Sequence, residues 1–125
     1  MQLRFLGKDS TPYNSPTLYT TDEESYIVQG WIVSDPTIVG QLNVADDETI
    51  VEVPPALMAH LAKDGVHGEV TRLVPPIVFV KENGNYIVRG PRVTDAEALA
   101  QMNIPDHETC VVVHKTAMLA LLTGA

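Results

Sequence analysis

Cysteine is nearly missing from this 125-residue chain: Cys110 stands alone. No internal disulfide can form, and a reducing compartment, the cytoplasm, is expected. Positive charge is scarce as well, with 8 Lys and Arg against 16 Asp and Glu and a formal net charge of −8. A nucleic-acid backbone is therefore an unlikely default partner, because phosphate binding needs a surplus of Lys and Arg. No run approaches the roughly 18 consecutive apolar residues of a membrane-crossing helix. Met1 to Gly7 is too short for a signal-peptide core and has no small-residue cleavage site. His60, His67, His107 and His114 follow no HExxH or paired Cys/His spacing, so no metal is expected. Leu6-Gly7-Lys8-Asp9-Ser10 lacks the GxxxxGK[ST] spacing of a phosphate loop. No cofactor is expected either.

Present in quantity are apolar residues, at 45%, beside 19% charged residues, the balance of a packed domain. They are arranged in a repeat. A shift of 60 positions aligns residues 15–61 with 75–121 without a gap. Sixteen of the 47 pairs are identical, among them Tyr26/Tyr86, Val28/Val88, Gly30/Gly90, Asp35/Asp95, Asp46/Asp106, Glu48/Glu108, Val51/Val111 and Val53/Val113. Roughly three would arise by chance. One such unit leaves too much surface wet to fold well alone. The two copies, joined by a connector over 62–74, are expected to complete each other about a pseudo-twofold axis in a single domain.

Each unit reads as ββαβα, giving an α+β fold with mostly antiparallel strands. Strands are expected at 17–20 and 77–80, then polar turns at 22–25 and 82–85, then strands at 26–33 and 86–93. The shared Gly30 and Gly90 predict a bulge or sharp bend. Helices follow over 36–42, capped by Asp35 with Pro36 in the first turn, and over 95–102, capped by Thr94 with Glu97 answering. Their inward residues are expected to be Ile38, Val39 and Leu42, and Ala98, Leu99 and Met102. Strands at 49–53 and 109–113 bury Val51 and Val53, or Val111 and Val113, by alternation. Val112 in place of Glu52 implies that the second strand is covered on both faces. Closing helices span 55–62 and 116–122. The leading segment 7–14 reads as surface loop, and a short strand is expected near 70–74.

Charge is divided unevenly. Residues 1–62 hold two basic and nine acidic side chains, a balance of −7, whereas residues 63–125 hold six and seven, a balance of −1. An acidic half beside a near-neutral half suits docking of a basic partner. Trp31, the only tryptophan, has no counterpart in the second copy, where Gln29, Trp31 and Ile32 become Arg89, Pro91 and Arg92. It is the candidate anchor, with Asp46, Asp47, Glu48 and Glu52 as charged neighbours. Arg89 and Arg92 are the candidate anion or DNA contacts, although their spacing on a strand points them to opposite faces. Cys110 reads as a small buried hydrophobe, Asp35 and Asp95 as helix caps, and Glu48 and Glu108 as turn residues. No catalytic residue is assigned.

The run Gly-Trp-Ile-Val-Ser-Asp-Pro through Glu-Thr-Ile-Val-Glu-Val-Pro at 30–54, with Phe5-Leu6-Gly7-Lys8-Asp9 and Ser15-Pro16-Thr17-Leu18-Tyr19, resembles short acidic uncharacterised proteins of actinobacteria found near helix-turn-helix regulators. That resemblance implies a cytoplasmic accessory or regulatory protein, with such a regulator as partner. Residues 30–53 and 90–113 also resemble, more weakly, the strand–helix–strand rhythm of swapped-hairpin regulators of the AbrB type. A fused pair would imitate their dimer, although a helix follows the last strand here. Three functions follow in order of preference. The first is a non-enzymatic interaction or regulatory protein whose acidic first repeat binds a protein. The second is a DNA-binding regulator using Arg89 and Arg92, and the third a small-ligand binder at the interface between repeats.

Overall fold

β-Branched and aromatic runs separated by polar turns fold into an antiparallel sheet, and two short helical segments return each half onto it. The computed structural model describes residues 1–8 and 16–123. In chain order the strands are β1 (Leu3–Lys8), β2 (Thr17–Thr21), β3 (Ser25–Ile32), β4 (Glu48–Val53), β5 (Glu69–Val70), β6 (Ile77–Val80), β7 (Tyr86–Pro91), β8 (Glu108–His114) and β9 (Leu122–Thr123). The helices are α1 (Pro36–Gln41), α2 (Ala96–Ala100) and α3 (Lys115–Leu119), with a 3₁₀ helix at Pro55–Asp64. The fold is α+β: a seven-stranded, antiparallel sheet with few, short helices.

Strands of one half pair with strands of the other. β3 pairs with β8 from Ser25↔His114 to Trp31↔Glu108, and β4 pairs with β7 from Glu48↔Pro91 to Val53↔Tyr86. Beyond Gly30, β3 meets β4 at Trp31↔Glu52 and Ile32↔Val51. The bridge Arg92↔Val111 links the end of β7 to β8, so β3, β4, β7 and β8 close a ring. Val28, Val51, Val88 and Val111 face its interior and, with Tyr26, Leu57, Leu61, Met118 and Leu121, form the main core. Each such side chain contributes about 1.5–3 kcal/mol by leaving water. Two smaller apolar layers cover the outside of the ring, one around Ile27, Ala98 and Cys110 and one around Ile38, Ile50 and Ile87.

Several local expectations are corrected. The segment read as loop from residue 7 is strand as far as Lys8, because β1 pairs with β2 from Leu3↔Thr21 to Lys8↔Thr17; residues 9–14 lie outside the described residues. Of the bulge or sharp bend expected at Gly30, the bulge is absent, since β3 runs in unbroken register against β8 past this glycine. Its requirement is close approach: a β-carbon there would lie 2.5 Å from the Glu52 carbonyl oxygen, and one at Gly90 2.5 Å from that of Val112. The second helix is capped by Asp95, which accepts from the Ala98 amide at 2.9 Å, and not by Thr94. Val39 and Leu99 are exposed and only Ile38 and Ala98 of the two helices are buried, because helices this short turn a single residue fully onto the sheet. The final helix stops at Leu119, and Leu122–Thr123 instead pairs with Glu69–Val70, so that Val70 alone of the expected 70–74 strand lies in one.

Candidate interaction surface

The loop from α1 to β4 carries two of the four candidate acidic residues, Asp46 and Asp47. Asp35 caps α1, its carboxylate accepting from the Thr37 amide at 2.9 Å, and Pro36 occupies the first turn, where no amide donor is needed. Leu42 and Val44 then pack onto Ile50 and Ile87, which leaves Asp46 and Asp47 exposed at the tip. Glu48 opens β4 half-buried, and its Oε1 accepts from the Ala45 amide at 3.3 Å. Arg92 lies beneath this tip: its side chain donates to the Asp46 carbonyl and its amide to the Asp47 carbonyl at 2.9 Å. Arg89 donates to the Asn43 carbonyl at 3.5 Å. The two arginines, expected on opposite faces, thus converge on one loop, Arg89 through its side chain and Arg92, just past the end of β7, through both side chain and amide.

Trp31 and Glu52 form a separate cluster. They are cross-strand partners near the far end of β4, four residues or about 13 Å of strand from Glu48. Trp31 is half-buried, and its Nε1 is buried without a hydrogen-bond partner. Glu52 is tied into the β6–β7 hairpin: Lys81 Nζ lies 3.0 Å and Asn85 Nδ2 2.7 Å from its carboxylate. Its charge is already answered within the chain.

Two charged clusters escaped the sequence reading. Glu108, expected as a turn residue, is 4% exposed and accepts from Gln29 Nε2 at 2.7 Å, with His107 Nε2 3.4 Å from its other oxygen. Gln29 Nε2 also donates to the Asn103 carbonyl at 3.0 Å. The available signal was the exchange of Arg89 for Gln29, which changes what faces the strand-opening glutamate. The second cluster centres on Asp64 at the end of the 3₁₀ helix. Its carboxylate accepts from Tyr26 Oη at 2.7 Å and pairs with Arg4 at 2.6 Å and Lys115 at 3.2 Å, joining β1, β3 and α3. Burial works to raise the Asp64 carboxyl, but the hydrogen bonds from Tyr26 and Lys115 and the charges of Lys115 and Arg4 outweigh it and hold the group below its ordinary value. Burial, then the Asp64 hydrogen bond, pushes the Tyr26 phenol up.

Cys110 is buried on β8, and burial pushes its thiol up to about 11, which leaves little thiolate at neutral pH. Among the described residues, no group of three or more His, Cys, Asp and Glu side chains is placed to hold a metal ion, and no helix is long and apolar enough to cross a membrane. No family model, no curated protein and no solved structure matches the chain.

A cleft of about 430 Å³ lies between the start of α1 and the β6–β7 hairpin, lined by Asp35, Thr37, Ile38, Phe79 and Val80 and by the turn residues Lys81–Asn83. A smaller one of about 230 Å³ lies beside Glu48, Arg89, Pro91 and His114.

Proposed function

We propose that the chain is a non-enzymatic interaction protein, built as an internal pseudo-dimer, that presents the acidic loop of its first repeat to a basic surface of a protein partner. The observation that carries this reading is the Asp46–Asp47 tip. Both side chains are exposed and, among the described residues, neither is in an ion pair, while Arg92 holds the loop's backbone from below. A held pair of carboxylates outside any ion pair steers and orients a cationic partner at little ordering cost. Trp31 supplies a second, apolar contact, and Glu52, bound to Lys81 and Asn85, drops out of the charged set.

The pseudo-dimer is supported by matched registers. The pair Val28↔Val111 becomes Val88↔Val51 when each residue is replaced by its counterpart 60 positions away, and both pairs are present. The same exchange relates Ile32 N–H to His107 O and Arg92 N–H to Asp47 O, each 2.9 Å. It also relates Gln29 to Asn103 O and Arg89 to Asn43 O.

The test is recovery of partners from the native cell extract by wild type, by an Asp46→Asn/Asp47→Asn variant and by Trp31→Ala. A partner held by wild type, lost by the double variant and released by moderate salt supports the reading. Equal recovery by all three overturns it.

A further inference from the structure

Seven residues of one outer apolar layer have their counterparts 60 positions away in the other. Ile27, Ala98, Cys110, Tyr19, Val93, Met102 and Ile104 of one layer have as counterparts Ile87, Ile38, Ile50, Phe79, Val33, Leu42 and Val44 of the other. The first layer also contains Met1 and Leu3. They arrive with β1, which lies along β2 in the register Leu3↔Thr21, Arg4↔Thr20, Phe5↔Tyr19. Around them the Met1 amine contacts Glu97 at 2.7 Å and Asp95 at 3.4 Å, the Gln2 amide donates to Asp22 at 3.1 Å, and the Leu3 amide donates to Gln101 at 3.0 Å. In the second repeat no strand takes this place among the described residues. The chain 60 positions after β1 is the end of the 3₁₀ helix and the turn at Gly65, and among the described residues β6 ends the sheet with only β7 beside it. The 430 Å³ cleft lies at the position equivalent to the seat of Met1 and Leu3. The exposure of the counterparts agrees: Thr20, under β1, is 5% exposed and Val80 37%.

We propose that this cleft and the free edge of β6 form a strand-accepting site for an extended, basic segment of a partner protein. The proposal rests on the pseudo-dimer reading but uses a surface distinct from the Asp46–Asp47 tip. The occupant follows from the filled copy, in which the place is taken by extended chain with apolar side chains at alternate positions and a cation at its amino-terminal end. The receiving backbone is available. Lys81 N–H donates to Asn85 O, and Lys81 O accepts from Gly84 N–H, both 2.9 Å, so by alternation the amide and carbonyl of Val80 face away from β7. The charge is complementary. Asp35 is the counterpart of Asp95 and Glu82 that of Asp22, and both are exposed; Lys81, the one cation on the rim, is bound to Glu52. Main-chain pairing gives such a complex its affinity, and the cleft on Ile38, Phe79 and Val80 selects the side chain that enters it.

The probe is the octapeptide Met-Gln-Leu-Arg-Phe-Leu-Gly-Lys, the sequence of residues 1–8, with a free amino terminus and a carboxy-terminal fluorophore. Its binding to the full chain is read by fluorescence anisotropy, and its place by amide chemical shifts. Saturable binding is expected, with shifts at Asp35–Ile38 and Phe79–Asn83. Val80→Pro, which removes an outward donor from an edge strand that tolerates proline, weakens it about tenfold or more. Asp35→Asn, which keeps the helix cap, and Glu82→Gln each weaken it about threefold, and they keep the test decisive if Val80→Pro melts early. The Asp46→Asn/Asp47→Asn variant binds the peptide like wild type, so failure of the acidic-tip reading and failure of this one are told apart. Absence of saturable binding overturns the proposal, and so does unchanged affinity in both Val80→Pro and the charge variants. Shifts confined to β2, where the peptide would merely displace β1, overturn it, as does dimerisation of the chain through β6, which would make a second copy the occupant.

Discussion

Gly30 and Glu52 approach so closely that a β-carbon on Gly30 would stand 2.5 Å from the Glu52 carbonyl oxygen. The contact marks a change of partner. One edge of β3 is held by β2 up to Gln29 and by β4 from Trp31 onward. Gly90 stands in the same relation to the Val112 carbonyl, where β7 passes from β6 to the bridge with β8. Backbone, unlike the end of a side chain, cannot swing aside. Gly30→Ala and Gly90→Ala are each expected to cost about 3 kcal/mol, a fall of about 10 °C in melting temperature, as read by thermal unfolding.

Asp64 makes stability depend on acidity. Its folded-state value lies below the ordinary carboxylate value of 3.8, so its contribution is full above the unfolded value and is lost as pH falls through the folded one. Urea unfolding at pH 7 should show Asp64→Asn less stable than wild type. The gap should narrow steadily as the pH is lowered below about 4, and an unchanged gap at pH 3 would contradict the assignment.

Trp31 separates packing from hydrogen bonding. Its indole nitrogen is buried without an acceptor, a cost of about 1–3 kcal/mol. Trp31→Phe removes that donor and keeps a ring, so its stability should lie within about 1 kcal/mol of wild type, whereas Trp31→Ala should lose about 2–3 kcal/mol. Denaturant midpoints of the two variants decide this, and equal losses would refute it.

Glu48 and Glu108 occupy matching positions of the sequence repeat but differ in surroundings. Glu108 is 4% exposed and accepts from Gln29, whereas Glu48 is half-buried and accepts from a loop amide. Glu108→Ala should therefore cost about 2 kcal/mol more than Glu48→Ala in equilibrium unfolding.

Neither half holds a complete sheet. Residues 1–63 alone lose β8 from one edge of β3 and β7 from β4, and should show no cooperative melt as a monomer at low concentration. Mixing them with residues 64–125 should restore the melt, as followed by circular dichroism.

Local chemistry was legible in the sequence. β2, β3, β4, β6, β7 and β8, both hairpins, the Asp35 cap and the buried faces of Val51, Val53, Val111 and Val113 follow from side-chain period and turn composition. The Thr94 cap was misjudged because Thr94 and Asp95 both carry a suitable oxygen, and only the entry angle of the chain selects between them. β1 was missed because Leu3 to Lys8 has no clean alternation: Phe5 is exposed, Leu6 is buried, and the register shifts between Phe5 and Gly7.

The 60-residue sequence repeat, the acidic bias of the first half and the positions of β2, β3, β4, β6, β7 and β8 were determined by the amino-acid order alone, since each rests on the residues themselves or on neighbours a few positions away. The tertiary structure decided that β3 takes β8 as its long partner, that Arg92 supports the Asp46 loop, and that one outer layer is sealed by Met1 and Leu3 while its counterpart stands open. The two edges of a strand present the same amides and carbonyls whichever strand lies beside them. Only the closing of the ring, which satisfies those groups and buries both valine faces together, chooses among the pairings.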